Sequence, residues 1–290
     1  MKKFITQALF LSALMLSSSG YAMASSCSYV CPENIELTSA TSRFFSNITG
    51  QNFIGEKVGE SLIKKALKKN ADGDFKVTLN SYSVRDLKAG KFKSLDIKGK
   101  NILVDGIYIS EAEMSTLCEY NYISQDKNGD YLVMEDIPVA ISAVITEDDL
   151  NKTMMSKDYQ RLLNDLNTLG GAFNIFSIDS TKIKIKDNKI YYIVKIAVPF
   201  VRATQEVVMS ANLKVEDGEI KFSDPELLNN RHEGKDLSKL ASILNYINPL
   251  DFSMKILENK DADLSIRNVS IQDGKILVDA KMLILKDVNK

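Results

Sequence analysis

The stretch LSIRNVSIQDGKILVDAKMLI at residues 264–284 predicts a β-hairpin. Its second half is apolar at every even position from Ile276 to Ile284, the period of a strand with one buried face. Asp273-Gly274 is typical of the tight turn between antiparallel strands. In the first half the alternation slips by one residue at Arg267-Asn268, which predicts a β-bulge. The end of the chain is therefore predicted to be antiparallel sheet with one apolar face.

The same alternation recurs upstream of the hairpin. Apolar residues take every second position in 137–145, 190–200 and 207–215. Turn pairs such as Asp187-Asn188 and Asp217-Gly218 join neighbouring segments, which favours antiparallel pairing over a parallel wound sheet. Because long strands with one apolar face need helices to cover that face, we predict an α+β fold.

Helices are predicted at several places between the strands. Residues 53–69 place apolar side chains at helical spacing and gather lysines at the C-terminal end, where cations complement the helix dipole. Thr146 is placed to cap a helix that follows the strand 137–145. A capping-box pattern predicts a short helix from Ser110, with Glu113 three residues on. Residues 237–247 predict an amphipathic helix that ends before Pro249.

The N-terminus has the three parts of a secretory signal peptide. Two lysines precede an apolar run at residues 8–16, which is shorter than the about 20 residues that span a bilayer. Ala22-Met23-Ala24 predicts cleavage between Ala24 and Ser25. The alternatives are a buried N-terminal helix and a lipoprotein acylated at Cys27. We expect residues 1–24 to be removed and the mature protein to act in the periplasm or at the outer face of the membrane.

Residues 25–50 are rich in Ser, Thr and Asn, and we interpret them as a linker or arm before a single domain at 51–290. Cys27 and Cys31 lie close together in this arm. In an oxidising compartment they would close a small loop, and the alternative is two unpaired thiols, since connectivity cannot be deduced from sequence. Cys118 lies in an apolar stretch that we interpret as helical, and it is predicted to be a small core residue.

Composition and residue inventory argue against several classes of function. The chain has 37 basic and 38 acidic residues, whereas nucleic-acid binders usually carry a basic excess. The lone histidine, His232, lies in a polar loop and offers neither a catalytic triad nor a zinc ligand set. Asp126–Asp130 resembles a calcium loop, but Tyr131 and Ile137 stand where an EF-hand needs Gly and Glu. We therefore expect a non-enzymatic protein without cofactor or metal and without a nucleic-acid partner.

One segment carries more apolar surface than a one-sided sheet needs. Residues 190–201 are apolar on the even face and also place Tyr191, Ile193, Ala197 and Val201 on the odd face. Such a strand either lies between two layers of protein or lines a groove for an apolar ligand. The residues alone favour the core interpretation.

Three segments together resemble the LmeA-like phospholipid-binding family, a bacterial branch of the tubular lipid-binding group. They are the helix 53–69, the strand-to-helix phrase VITEDDLN at 144–151, and the phrase LSIRNVSIQDGKILV at 264–278. The resemblance spans roughly residues 50 to 287. It implies long antiparallel β-meanders that curve around amphipathic helices, with phospholipid acyl chains held in an apolar trough. Peripheral contact with a membrane is compatible with this arrangement.

The resemblance makes a lipid-binding protein the leading hypothesis, possible roles being lipid transport or envelope maintenance. Each buried methylene contributes about 0.8 kcal/mol, so a near-neutral protein can bind lipid through its tails. The alternative is a ligand-free envelope protein that contacts other proteins. The predicted trough lining, which comes from the first helix, the strand at 190–200 and the helix before Pro249, is Ile54, Val58, Leu62, Ile190, Tyr192, Val194, Ile196, Val198, Phe200, Leu240 and Leu244.

Overall fold

The computed structural model describes residues 29–32, 36–40, 51–125, 131–172, 177–197, 204–228, 246–250, 253 and 262–287. The helices and strands of these ranges, in chain order, are α1 (Gln51–Asn70), β1 (Asp72–Asn80), α2 (Val84–Lys88), β2 (Lys91–Phe92), β3 (Ser94–Val104), β4 (Ile107–Thr116), β5 (Asn121–Gln125), β6 (Tyr131–Val133), β7 (Ile137–Thr146), α3 (Glu147–Met154), α4 (Lys157–Ala172), β8 (Ser177–Lys186), β9 (Lys189–Ala197), β10 (Gln205–Glu216), β11 (Glu219–Leu227), β12 (Ala262–Gln272) and β13 (Lys275–Ile284).

The described strands form three sheets in which every pairing is antiparallel. A six-stranded sheet has the order β1-β3-β4-β7-β13-β12, a four-stranded sheet the order β11-β10-β9-β8, and a small sheet the order β2-β5-β6. The α+β class and the antiparallel pairing predicted from the sequence are confirmed. Among the described helices, none is long and apolar enough to cross a membrane.

The closing hairpin has the turn and the bulge that its sequence predicts. Asp273 and Gly274 both take positive φ values, 51° and 72°, between β12 and β13, as a tight hairpin turn requires. The β12–β13 register shifts between Ile266 and Asn268, where the alternation slips. The bulge keeps apolar residues of β12 on the side that faces the core, on both sides of the slip.

The junction between β7 and α3 is a capping box. The Thr146 side chain accepts from the backbone N–H of Asp149 at 3.2 Å, and the Asp149 carboxylate accepts from the Thr146 N–H at 2.8 Å. The predicted helix at Ser110 is wrong, because Ser110 and Glu113 lie in β4, paired with β3 and β7 on either side. Sheet pairing on both edges satisfies the backbone of this segment, so its local capping pattern has no helix to cap.

Three clusters of buried apolar side chains form the core. The first, the β9 cluster, lies between the four-stranded sheet, α3, α4 and strands β12 and β13. The second, the α1 cluster, lies under α1 against β1, β3 and the start of β4. The third occupies the end of the six-stranded sheet where β7, β12 and β13 meet β6. The long sheet therefore carries separate cores along its inner face.

The described parts of the N-terminal arm are fastened to the fold. Cys31 forms a disulfide with Cys118, with 5.5 Å between the Cα atoms. Thr38 donates from its N–H and its hydroxyl to the buried carboxylate of Asp86, both at 2.8 Å. The predicted pairing of Cys31 with Cys27 is wrong, since the fold brings Cys118 to Cys31 across 87 residues of sequence. Cys118 is buried, but it lies in a bend after β4 rather than in a helix, and it is a disulfide partner rather than a simple core residue.

Residues 1–28 lie outside the described residues, and with them the predicted signal peptide, its cleavage site at Ala24 and Ser25, and Cys27. The predicted helix at 237–247 also lies almost wholly outside the described ranges. The signal peptide, its cleavage site and this helix stay predictions.

Replacing Cys118 by Ser is expected to lower the free energy of unfolding by about 2–4 kcal/mol, because a cross-link over a loop of this length restricts the unfolded chain. Urea unfolding with and without reductant measures the effect, and the reduced wild type should match the variant. Non-reducing peptide mapping should find the Cys31 peptide joined to the Cys118 peptide. A Cys27–Cys31 peptide in its place would contradict the pairing.

Candidate functional site

An apolar strip lies where the two central strands of the six-stranded sheet pair. Ala112 of β4 pairs with Ala143 of β7, and Met114 pairs with Ile141. All four side chains lie on the inner face and are half-buried, and we call this set the seam. The opposite face of the same strands carries exposed Glu113 and Ser142 together with half-buried Val144.

Three core clusters meet at the seam, and its side chains stay half-buried between them. Ala112 and Met114 pack against the α1 cluster, and Ile141 and Ala143 pack against the β9 cluster. Met114 and Ile141 also pack against the third cluster. The strands on either side are better covered, with Ile97 of β3 at 2% exposure and Ala280 of β13 at 6%. A half-covered strip of alanine, methionine and isoleucine offers a hydrocarbon chain a surface without charged or hydroxyl side chains.

Helix α1 docks on the edge strand β1 by its polar face. The carboxylate of Glu56 accepts from the N–H of Ser81 at 2.7 Å and from its hydroxyl at 2.8 Å. Glu60 accepts from the N–H of Leu79 at 3.3 Å. These bonds satisfy backbone donors on the edge of the sheet that no strand covers. Gly59 makes the close approach possible, since a Cβ there would lie 2.6 Å from the Leu79 side chain.

The first part of the predicted lining lies on the outside of α1. Ile54, Val58 and Leu62 follow one another at helical spacing and are 57–66% exposed, as is the neighbouring Phe53 at 64%. The face of α1 that contacts the α1 cluster carries Leu67 instead. The structure therefore does not bring Ile54, Val58 and Leu62 together with the rest of the predicted lining in one cluster.

The second part of the predicted lining lies inside the β9 cluster. Ile190, Tyr192 and Val194 are at most 3% exposed, and Ile196 is half-buried. The remaining lining residues, Val198, Phe200, Leu240 and Leu244, lie outside the described residues. The lining role of the whole set stays a prediction.

A pair of buried tyrosines fixes the centre of the β9 cluster. The hydroxyls of Tyr159 on α4 and Tyr192 on β9 lie 2.8 Å apart, and both lie within hydrogen-bonding distance of the carbonyl oxygen of Ile247, at 2.6 and 3.2 Å. Burial raises the pKa of both hydroxyls, and for Tyr192 the neighbouring Tyr159 raises it further. Both tyrosine hydroxyls stay neutral. Their hydrogen bonds with each other and with the Ile247 carbonyl satisfy these polar groups inside the cluster.

The tyrosine pair predicts a loss of stability at high pH. Each folded-state pKa is raised, so the stabilisation is complete below the unfolded pKa of about 10 and declines as the pH rises above it, by roughly 1 kcal/mol per tyrosine at about pH 11. Urea unfolding near pH 8 and pH 11 should therefore show a smaller pH-dependent loss for Y192F than for the wild type. The half-exposed neighbour Tyr191 provides the control Y191F, which should lose as much as the wild type. An equal loss in Y192F would contradict this assignment.

Two surface clefts occur among the described residues, the first lined by apolar and charged side chains and the second mainly by polar ones. One, of about 360 Å³, lies between Tyr108 of β4 and the start of α4. The other, of about 480 Å³, lies over the outer face near Glu111 and Lys275. Beside the first cleft, burial and then the nearby Asp158 raise the pKa of Asp105. Within the described ranges, no group of three His, Cys, Asp or Glu side chains is placed to hold a metal ion.

Comparison with known proteins gives the class of the chain. The sequence profile of the LmeA-like phospholipid-binding family matches residues 50–281, and the chain belongs to this family. The match includes the whole of α1, the seam strands and most of the closing hairpin. The resemblance seen in the sequence is thereby confirmed, and family membership supports a lipid as the partner.

Comparison with curated proteins and with solved structures adds no argument about the fold or the ligand. No curated protein matches the chain. A crystal structure of lipopolysaccharide binding protein is similar at 8% identity over 75% of this chain and 87% of that chain, with a TM-score of 0.18. A likeness at that level carries no argument about fold or ligand.

Sequence reasoning missed the seam because it interpreted β4 from Ser110 onward as a helix. The signal was present, since Ala112 and Met114 lie two positions apart, the period of a strand. The partners Ile141 and Ala143 were recognised as one apolar strand face, but nothing in a single strand says how completely that face is covered.

Proposed function

We propose that this chain is an extracytoplasmic lipid-binding protein that holds phospholipid acyl chains along the seam. The observation that carries the proposal is the family match over residues 50–281, which includes both seam strands. The seam supplies a matching surface, because it is apolar, half-buried and bordered by three packed clusters.

The chemistry of the seam suits hydrocarbon rather than headgroup. Its side chains are alanine, methionine and isoleucine, and methionine adapts its shape readily to apolar partners. Burial of acyl methylenes contributes about 0.8 kcal/mol each, so several of them give useful affinity without a charged clamp. The proposed ligand is therefore bound by its tails, and the headgroup lies outside the seam.

The proposal includes the shape of the site and the place where the protein acts. We propose that the long sheet curves around its helices as in tubular lipid-binding proteins, and that the protein works in the periplasm or at the outer membrane face. The signal-peptide pattern supports export, and the Cys31–Cys118 disulfide is typical of proteins in an oxidising compartment. The role we propose is non-enzymatic, in lipid transport or envelope maintenance.

Organic extraction of the purified protein followed by mass spectrometry tests whether it carries lipid. The expected result is phospholipid at a fixed ratio to protein, which persists after extensive washing. Protein that is free of lipid and that also fails to take up a fluorescent acyl probe would support the ligand-free interaction protein instead.

Replacing Ala143 by Leu is expected to weaken binding of a fluorescent acyl probe by about fivefold or more, because the added methylenes occupy space that the acyl chain would fill. Probe titration followed by fluorescence measures the change. The matched control is A140L on the same strand, since Ala140 is also half-buried but faces the other side, against Ser115 and Lys281. If A143L and A140L bind the probe equally well, the seam is not the site.

A further inference from the structure

The outer face of α1 is an apolar stripe that continues into a row of lysines. Phe53, Ile54, Val58 and Leu62 are more than half exposed in the N-terminal half of the helix. Large apolar side chains gathered on one exposed helix face mark a site of interaction rather than ordinary surface. We call these four residues the α1 stripe.

The C-terminal half of the same outer face is cationic. Lys64, Lys65, Lys68 and Lys69 are all exposed, and none of them forms an ion pair with an acidic side chain that the structure describes. Lys65 and Lys69 continue the spacing of Val58 and Leu62 along the helix. Lys65 and Lys69 therefore point in the same direction as Val58 and Leu62, and Lys64 and Lys68 flank them on one side.

The acidic residues of α1 are turned away from this face. Glu56 and Glu60 bind the backbone of β1, and Glu60 also accepts from Lys57 at 2.6 Å. The helix thus separates its charges, with carboxylates inward on the sheet and lysines outward with the apolar side chains. An apolar face flanked by lysines and without exposed acids is the composition of helices that lie in the interface of an anionic bilayer.

Helix α1 is also connected to the seam through one core. Ile63 and Leu67 on its inner side pack in the α1 cluster, against which Ala112 and Met114 of the seam also pack. The helix that carries the α1 stripe and the seam therefore contact the same cluster of buried side chains.

We propose that the α1 stripe and its lysines dock the protein on anionic phospholipid membranes, with the helix lying in the plane of the interface. The combination of an exposed apolar stripe with adjacent lysines favours an anionic lipid surface as the occupant. This docking surface is separate from the seam, where the bound lipid is proposed to lie. Ile54, Val58 and Leu62 of the predicted lining are thereby assigned to membrane contact.

Vesicle flotation of the full protein tests the docking surface. The wild type should bind vesicles of phosphatidylcholine mixed with phosphatidylglycerol, and bind much less to phosphatidylcholine alone or at high salt. V58Q/L62Q and K65Q/K68Q/K69Q should each weaken binding to the mixed vesicles by about tenfold or more. All five residues are exposed, so the unfolding midpoint should barely change.

Matched controls replace exposed lysines and exposed apolar residues outside α1 by Gln. K182Q/K184Q/K186Q removes three exposed lysines of β8, and M155Q/L228Q removes two exposed apolar residues outside α1. Both controls should bind vesicles as the wild type does. Unchanged vesicle binding by the α1 variants, or an equal loss in the controls, would overturn the docking surface.

Two further readouts separate this inference from its competitors. The α1 variants should still take up the acyl probe in solution, and a loss of uptake would mean that the stripe itself holds the chain, which overturns docking. Light scattering should show that V58Q/L62Q leaves the oligomeric state unchanged, whereas dissociation of a dimer would identify a second copy as the occupant. If the wild type takes up no probe but still binds vesicles through α1, the seam proposal fails and the docking inference stands.

Discussion

The structure depends on how the free edge of β1 is closed. A sheet edge exposes backbone donors that attract other chains, and here the carboxylates of Glu56 and Glu60 accept from two of them. Hydrogen bonds to charged groups contribute about 1.5–3 kcal/mol each. Because Glu56 and Glu60, together with Ile63 and Leu67, occupy the side of α1 that meets the sheet, Ile54, Val58 and Leu62 on the other side face outward. The hydrogen bonds at the edge of β1 therefore determine which side of α1 is exposed.

The same constraint explains why a chain with almost no net charge can present a charged surface. The whole sequence has 37 basic and 38 acidic residues, and the sequence shows no long basic block. The fold nevertheless turns Glu56 and Glu60 toward the sheet and leaves Lys64, Lys65 and Lys68 outside. The net charge of the whole sequence therefore does not predict the charge of one surface. Docking of α1 on the sheet places its acidic residues inward and its lysines outward.

Much of the fold follows from local patterns, and the exceptions have physical causes. The turn at Asp273-Gly274, the bulge near Asn268 and the Thr146 cap are set by neighbours in sequence, and all are present. The helix predicted at Ser110 is overridden by pairing with strands on both sides. The disulfide partner of Cys31 could not be deduced, since the nearest cysteine in sequence is not the nearest in the fold.

The candidate site was harder to predict than the fold for a related reason. The sequence identifies apolar faces, but the helix 53–69 gives no sign of which of its faces meets the sheet until the hydrogen bonds of Glu56 are known. Likewise, Ala143 and Tyr192 both belong to apolar strand faces, yet one is half-exposed and the other is 1% exposed. Coverage by distant elements, rather than local pattern, decides which apolar surface is open to a ligand.

Photo-crosslinking with a phospholipid that carries a diazirine on its acyl chain tests the central claim most directly. The protein is loaded from vesicles, separated from them, irradiated and mapped by mass spectrometry. The account predicts adducts in the peptides that contain β4 and β7, at or beside Ala112, Met114, Ile141 and Ala143. Adducts confined to α1 or to β9, with β4 and β7 unlabelled, would contradict it.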